Sequence, residues 1–249
     1  MLTYINIFGT DYGFCRSARC SYQDKWNRAV KLAAMFESLS DKFDGIIERG
    51  NYCTDNARLA LACKMMLYTG IRIGNEDSAE GYMTKPHPYS KEEPKFVQTY
   101  GLTTLLPSHV EFRGRKAYIN FLGKKHVDNS FTVVGTLARQ LKTMCRLYQG
   151  NTLFGITDYE LTKFIKRYVG ARFTPKDFRT MRANMYAYEK VAEILERENP
   201  HTKKEYNAEV KEIATYVSEH LNNTPGVCKK SYIDCYMWSE FENLRPIIK

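Results

Sequence analysis

The change of hydrophobic period along the chain constrains its fold more than any other feature. Over residues 109–134, apolar and polar residues alternate in three short runs, 109–112, 116–122 and 126–134. The breaks are Arg113-Gly114-Arg115 and Gly123-Lys124-Lys125. Alternation with glycine-bearing breaks predicts a small antiparallel meander. On both sides of it the apolar spacing is helical. The chain is therefore expected to be α+β: mostly helical, with one small three-stranded antiparallel sheet.

Trp26, Ala29, Val30 and Ala33 recur at i, i+3, i+4 and i+7, predicting a helix from Gln23 to about Ser38 or Ser40. Thr54 or Asp55 caps a second helix with Leu59, Ala62, Cys63 and Met66 on its apolar stripe and Gly70 as its stop. Residues 77–98 carry three prolines and no period, so they read as an exposed loop. Beyond the meander, 136–148 reads as a helix. Thr157 and Glu160 form a capping box opening another that stops at Gly170, and Thr174-Pro175 opens a third that runs through Arg179 to about Arg197. Val210, Ile213, Ala214 and Val217 mark a helix ending near Leu221. A last helix, about 229–243, is expected to carry Tyr232 in its first turn. Residues 1–22 alternate like two strands about a turn at 9–13, too little for a stable domain alone. The expected organisation is a reduced β element over 1–22 and a catalytic domain over 23–249.

Lys and Arg number 37 against 28 Asp and Glu, a net charge of +9, which favours a polyanionic partner. Seven of the basic residues, Lys163, Lys166, Arg167, Arg172, Lys176, Arg179 and Arg182, fall within 163–182 beside one acid, Asp177, a pattern suited to phosphate. Arg16, Arg19 and Tyr22 mix charge and rings in a way that suits a nucleic-acid backbone. The seven cysteines show no C-x-x-C pair. Their odd number, with no legible secretory leader, leads us to expect reduced thiols in an intracellular compartment: cytoplasm or nucleoid, or a host cell or virion if the source is viral. No apolar run is long enough for a membrane-spanning helix, and neither a P-loop nor a G-x-G-x-x-G offers a nucleotide site. Chemistry is expected from side chains alone, with no cofactor and no metal.

Four residues make chemical sense together as a phosphoryl-transfer site. A tyrosine hydroxyl has an ordinary pKa of about 10, so as a nucleophile it needs a positive setting and a neutralised phosphate. Arg72 and Arg179 suit that task, because permanently charged planar forks bind non-bridging oxygens. Lys124, on a turn, suits protonation of a departing oxygen. Tyr232 follows a Thr224-Pro225 turn and a basic run, and Asn223 offers an amide donor.

These residues carry a family resemblance. Arg72 in RIGNE, YGLTTL at 100–105, FLGK at 121–124, KDFR at 176–179, and N-T-P-x6-Y at 223–232 together resemble the compact poxvirus-like and bacterial type IB DNA topoisomerases. The order is the family's, and the resemblance covers the chain from about Asp55 to its end. It implies a 3′-phosphotyrosyl intermediate on Tyr232, Arg72 and Arg179 on the phosphate, Lys124 as the acid, and relaxation of supercoils without ATP or metal. It also implies double-stranded DNA as partner, engaged by a monomer, with Lys125 and Lys176 joining Arg16, Arg19 and Tyr22 as DNA contacts. Two departures stand out. Asn223 occupies the place of the family's usual histidine, and only about 22 residues stand where a fuller N-terminal lobe is expected, so another chain could supply that lobe. A tyrosine recombinase or integrase shares the Arg, Lys, Arg and Tyr chemistry but places histidine where this chain has Lys176. A catalytically decayed DNA-binding protein is the third reading, which Asn223 leaves open.

Overall fold

A computed structural model describes residues 20–84 and 93–248, the first four of them by backbone alone. The expected strands over 1–19 lie outside the described residues. Cys20 to Tyr22, assigned to that β element, instead open the first helix, α1 (Cys20–Ala34). The chain divides into two compact units, one of residues up to Leu39 with those from Arg172 onward, the other Ser40–Ala171.

The helix expected to end at Ser38 or Ser40 is two helices. Met35 N–H is shared between the carbonyls of Lys31 and Leu32, and α2 (Phe36–Arg49) starts afresh beyond it. Phe36, Leu39, Phe43 and Ile47 are its buried stripe. In the sequence this spacing is obscured by the polar residues Ser38, Ser40, Asp41 and Lys42 between them.

In the unit Ser40–Ala171 the centre is α3 (Asp55–Thr69). Thr54 Oγ1 accepts from Ala57 N–H at its start, and Gly70, left-handed at φ 65°, ends it. Almost every side chain of α3 is buried, Lys64 included, whose ammonium is held by Asp44 and Gln140 Oε1. Around it pack α5 (Gly135–Leu147), α6 (Asp158–Tyr168) and the last strand of the sheet. The sheet is the expected meander, β3 (Val110–Arg113), β4 (Lys116–Gly123) and β5 (Val127–Val134), paired in that order and antiparallel. Ala117, Ile119 and Phe121 alternate inward on β4 and meet Val133, Phe131 and Asn129 on β5. The capping box of Thr157 and Glu160 opens α6, with Glu160 Oε2 accepting from Thr157 N–H at 2.8 Å. The described parts of 77–98 hold regular structure where a loop was expected: α4 (Glu76–Glu80), capped by Asn75, precedes a two-stranded ribbon of β1 (Tyr82–Met83) and β2 (Phe96–Val97); residues 85–92 lie outside the described residues. Each strand is two residues long, too short to show a period in the sequence.

The other unit joins α1 to α7 (Pro175–Leu195), α8 (Lys203–His220), α9 (Pro225–Ser231) and α10 (Cys235–Leu244). Ala187, Val191 and Ile194 of α7 share a core with Val210, Ile213 and Val217 of α8, Cys228 of α9, and Met237 and Phe241 of α10. Just beyond α10 the buried Arg245 guanidinium reaches Glu209 on α8 and accepting oxygens of Arg197, Glu198 and Asn199. The last helix begins later than expected. Thr224 caps α9 with Pro225 at its first position, and Asp234 Oδ1 accepts from Tyr236 N–H to start α10. Tyr232 therefore closes a short helix at its C-terminal end, with no place in the first turn of a long one. Among the described residues no helix is long and apolar enough to cross a membrane.

Candidate active site

In the unit Ser40–Ala171, three motifs are stitched together by main chain. Gly70 ends α3 and sends Ile71 inward, leaving Arg72 half-buried just beyond. Leu102 N–H donates to the Arg72 carbonyl at 2.9 Å, and Tyr100 N–H donates to Leu122 O at 2.8 Å. YGLTTL thus bridges RIGNE to FLGK, and with them the backbones of Arg72 and Lys124. The contact leaves no room for a side chain at Gly101, where a Cβ would lie 2.0 Å from Ile73 O. At Gly74 it would lie 2.7 Å from both Thr103 Oγ1 and Thr104 Oγ1. No ion pair joins Arg72 to Glu76.

Lys124 stands on a tight turn, residues 124–126, between β4 and β5. Lys125 and His126 both take left-handed backbone, φ 64° and 58°. Gly123 lies against Asn129, whose Nδ2 would be 2.2 Å from a Cβ there and which donates to Val127 O. Lys124 and Lys125 are exposed. Tyr82 of the ribbon stacks on His126, ring centroids 6.1 Å apart, with its hydroxyl 3.2 Å from Nε2.

In the other unit Asp177 fixes the start of α7, its Oδ2 accepting from Thr174 N–H at 2.8 Å and its Oδ1 from Arg28 Nε at 3.1 Å. Two residues later Arg179 is buried, at 3 % exposure. Its Nη2 donates to Leu221 O, and its Cζ lies 5.3 Å from the centroid of the Tyr232 ring. Asn222, left-handed at φ 49°, turns the chain out of α8, and Asn223 N–H returns to Ser218 O. The Asn223 Nδ2 is buried without a hydrogen-bond partner, so a donor is already desolvated two residues from the carbonyl that Arg179 holds. Tyr232 is half-buried against the core shared by α7 to α10. Asn184, 1 % exposed, grips the joint after it: Nδ2 donates to Tyr232 O and Oδ1 accepts from Asp234 N–H, both at 2.9 Å.

A family description, the catalytic core of eukaryotic DNA topoisomerase I, matches residues 18–240. The chain belongs to the type IB DNA topoisomerase family. It is also 27 % identical over 202 residues to a protein named DNA topoisomerase 1B from Acanthamoeba polyphaga mimivirus. That match takes in 76 % of this chain and 56 % of the relative, so the chain spans little more than half of the relative's length.

Of the residues predicted from sequence, this type IB chain brings Arg179 and Tyr232 side by side and sets Asn223 beyond the carbonyl that Arg179 binds. Arg72 and Lys124 belong to the other unit. Of the expected DNA contacts, Lys176 is exposed in the first turn of α7 and Lys125 on the lysine turn. Arg16 and Arg19 lie outside the described residues, and of Tyr22 only the helical backbone is described. The basic run over 163–182 divides between the two units. His220, three residues before Asn223, is engaged elsewhere, its ring 4.3 Å from both Tyr186 and Tyr216 and its Nδ1 2.9 Å from Tyr216 O. Sequence reasoning missed Asn184, whose one signal is a polar residue on the apolar face of α7. It also missed Lys25, discussed below. Among the described residues no three His, Cys, Asp or Glu side chains are placed to hold a metal ion.

Proposed function

We propose that this chain carries a type IB topoisomerase centre that cuts one strand of double-stranded DNA, lets it swivel, and reseals it. The observation that carries the reading is a buried Arg179 beside the ring of Tyr232 in a chain of this family. Tyr232 Oη attacks phosphorus, and the bond from phosphorus to the 5′ oxygen breaks as the Oη–P bond forms. The phenol proton passes to solvent, and Lys124 gives a proton to the departing 5′ oxygen. Arg72 and Arg179 balance the charge that builds on the non-bridging oxygens, and the Asn223 amide adds a neutral donor. One phosphodiester bond is exchanged for another, so the reaction needs no ATP and reverses when the 5′-hydroxyl returns. The protein acts as a monomer on DNA, in a compartment that keeps its cysteines reduced, with any further lobe clamping the duplex.

The test is relaxation of a supercoiled plasmid in EDTA without ATP, with detergent-trapped covalent complex as the second readout. Parent protein is expected to give a ladder of topoisomers and a protein–DNA adduct, and Tyr232→Phe neither. Retained relaxation in Tyr232→Phe, or DNA binding by the parent with no relaxation, overturns the reading. The second result would favour a recombinase lacking its sites or a decayed binder.

A further inference from the structure

Lys25, on α1, is far in sequence from every motif above, yet it meets the nucleophile. Its ammonium donates to the carbonyl of Ser231, the residue before Tyr232, and sits 5.8 Å from the centroid of the Tyr232 ring. The Trp26 ring, 4.1 Å away, covers it from its own helix. Tyr232 is thus flanked by two cations, Arg179 of α7 and Lys25 of α1. We propose that Lys25 is a positioning residue for Tyr232: it tethers the end of α9 and places a positive charge beside the attacking phenol. This rests on the functional reading above.

The surroundings make that charge dependent on pH. Burial lowers the Lys25 pKa from its ordinary value to about 8, helped by Lys176 on α7 and, less, by Arg28 on α1, while Asp177 of α7 and Asp234 at the α9–α10 joint oppose the shift. Lys229 and Lys230 of α9 are exposed, the first over the Trp238 ring at 5.5 Å. Below about pH 8 the ammonium favours the phenolate character that Tyr232 gains during attack. Above it the amine is neutral and that help fades, although the tether can persist through an N–H of the neutral amine.

The experiment measures the rate of detergent-trapped adduct formation on supercoiled plasmid from pH 6.5 to 9.5 for the parent, Lys25→Met and Lys25→Arg. At pH 6.5 Lys25→Met is expected to be slower by about tenfold, the size of one partly screened charge at this range. The gap narrows through pH 8, and Lys25→Arg recovers most of the rate at pH 6.5 and keeps its lead over Lys25→Met above pH 9. A ratio of parent to Lys25→Met that stays constant with pH, or equal rates throughout, overturns the proposal. If the parent forms no adduct, the functional reading fails, and the tether is decided separately. The Ser231 carbonyl carbon resonance should then titrate with a midpoint near that of Lys25 and become flat in Lys25→Met; a flat response in the parent overturns it.

Discussion

Replacing Gly101 by alanine tests whether main chain holds Arg72 in place. The backbone at Gly101 is extended, φ −155°, so alanine brings no conformational strain and its whole effect is steric. Its Cβ would lie 2.0 Å from Ile73 O, 2.7 Å from Gly74 Cα and 2.8 Å from the Ile73 carbonyl carbon, all backbone atoms. No rotamer change relieves such a clash, and RIGNE and YGLTTL must part by roughly an ångström or more. Overpacking of this kind costs about 1–3 kcal/mol. Weakening the Leu102 N–H to Arg72 O bond adds about 0.5–1.5 kcal/mol. The expected loss of unfolding free energy is therefore about 2–4 kcal/mol. Displacing Arg72 by that distance should slow cleavage by up to about a hundredfold. Urea unfolding gives the first quantity. Single-turnover adduct formation, at a temperature where the variant remains folded, gives the second. Parent stability together with the parent rate would refute the idea that this contact positions the arginine.

Asn223→Ala should leave stability within about 0.5 kcal/mol, since Nδ2 makes no bond to lose, while slowing adduct formation by about ten- to a hundredfold; an unchanged rate would remove Asn223 from the site. Asn184→Ala breaks the bonds to Tyr232 O and Asp234 N–H and leaves the latter buried, so urea unfolding should show a loss of about 2–4 kcal/mol. Glu212 accepts from Arg197 and Lys190, each at 2.9 Å, and these bonds hold its carboxyl down at about 2. A carboxyl depressed on folding stabilises above its unfolded value and loses that contribution as pH falls from about 4.5 toward 2. Unfolding free energies from urea at pH 3 and pH 6 should differ less in Glu212→Gln than in the parent, by less than about 1 kcal/mol because the pair is partly exposed.

Local signals made much of the fold legible. Thr54 with Gly70, Thr157 with Glu160, and Thr174 with Pro175 mark helix ends with side chains that bond in the structure or with residues whose backbone freedom is used there. The meander shows because Ala117, Ile119 and Phe121 alternate inward. The break at Met35 was hidden, because a shared hydrogen bond has no residue signature. The end of α9 at Tyr232 is missed by the expected helix over 229–243, although Thr224-Pro225 marks the start of α9 and Asp234 that of α10. The candidate residues stand out in the sequence as a set of types and spacings. What was not legible is the packing around Tyr232: Asn184 bonds its carbonyl and Lys25 bonds that of Ser231 across 48 and 206 residues of sequence, a relation that only the packing of α1 and α7 creates.

The two units hold their candidate residues by different means. Arg72 and Lys124 hang from main-chain N–H and C=O groups, so what holds them is close approach: the glycines and the buried Leu102, Thr103 and Thr104 that let the segments meet. Tyr232 is bracketed by side chains: the Asn184 amide on its carbonyl, the Lys25 ammonium on the carbonyl before it, and the Arg179 guanidinium beside its ring. Descendants of this chain keep the first grip by keeping its close spacing, and the second by keeping its charged and amide donors.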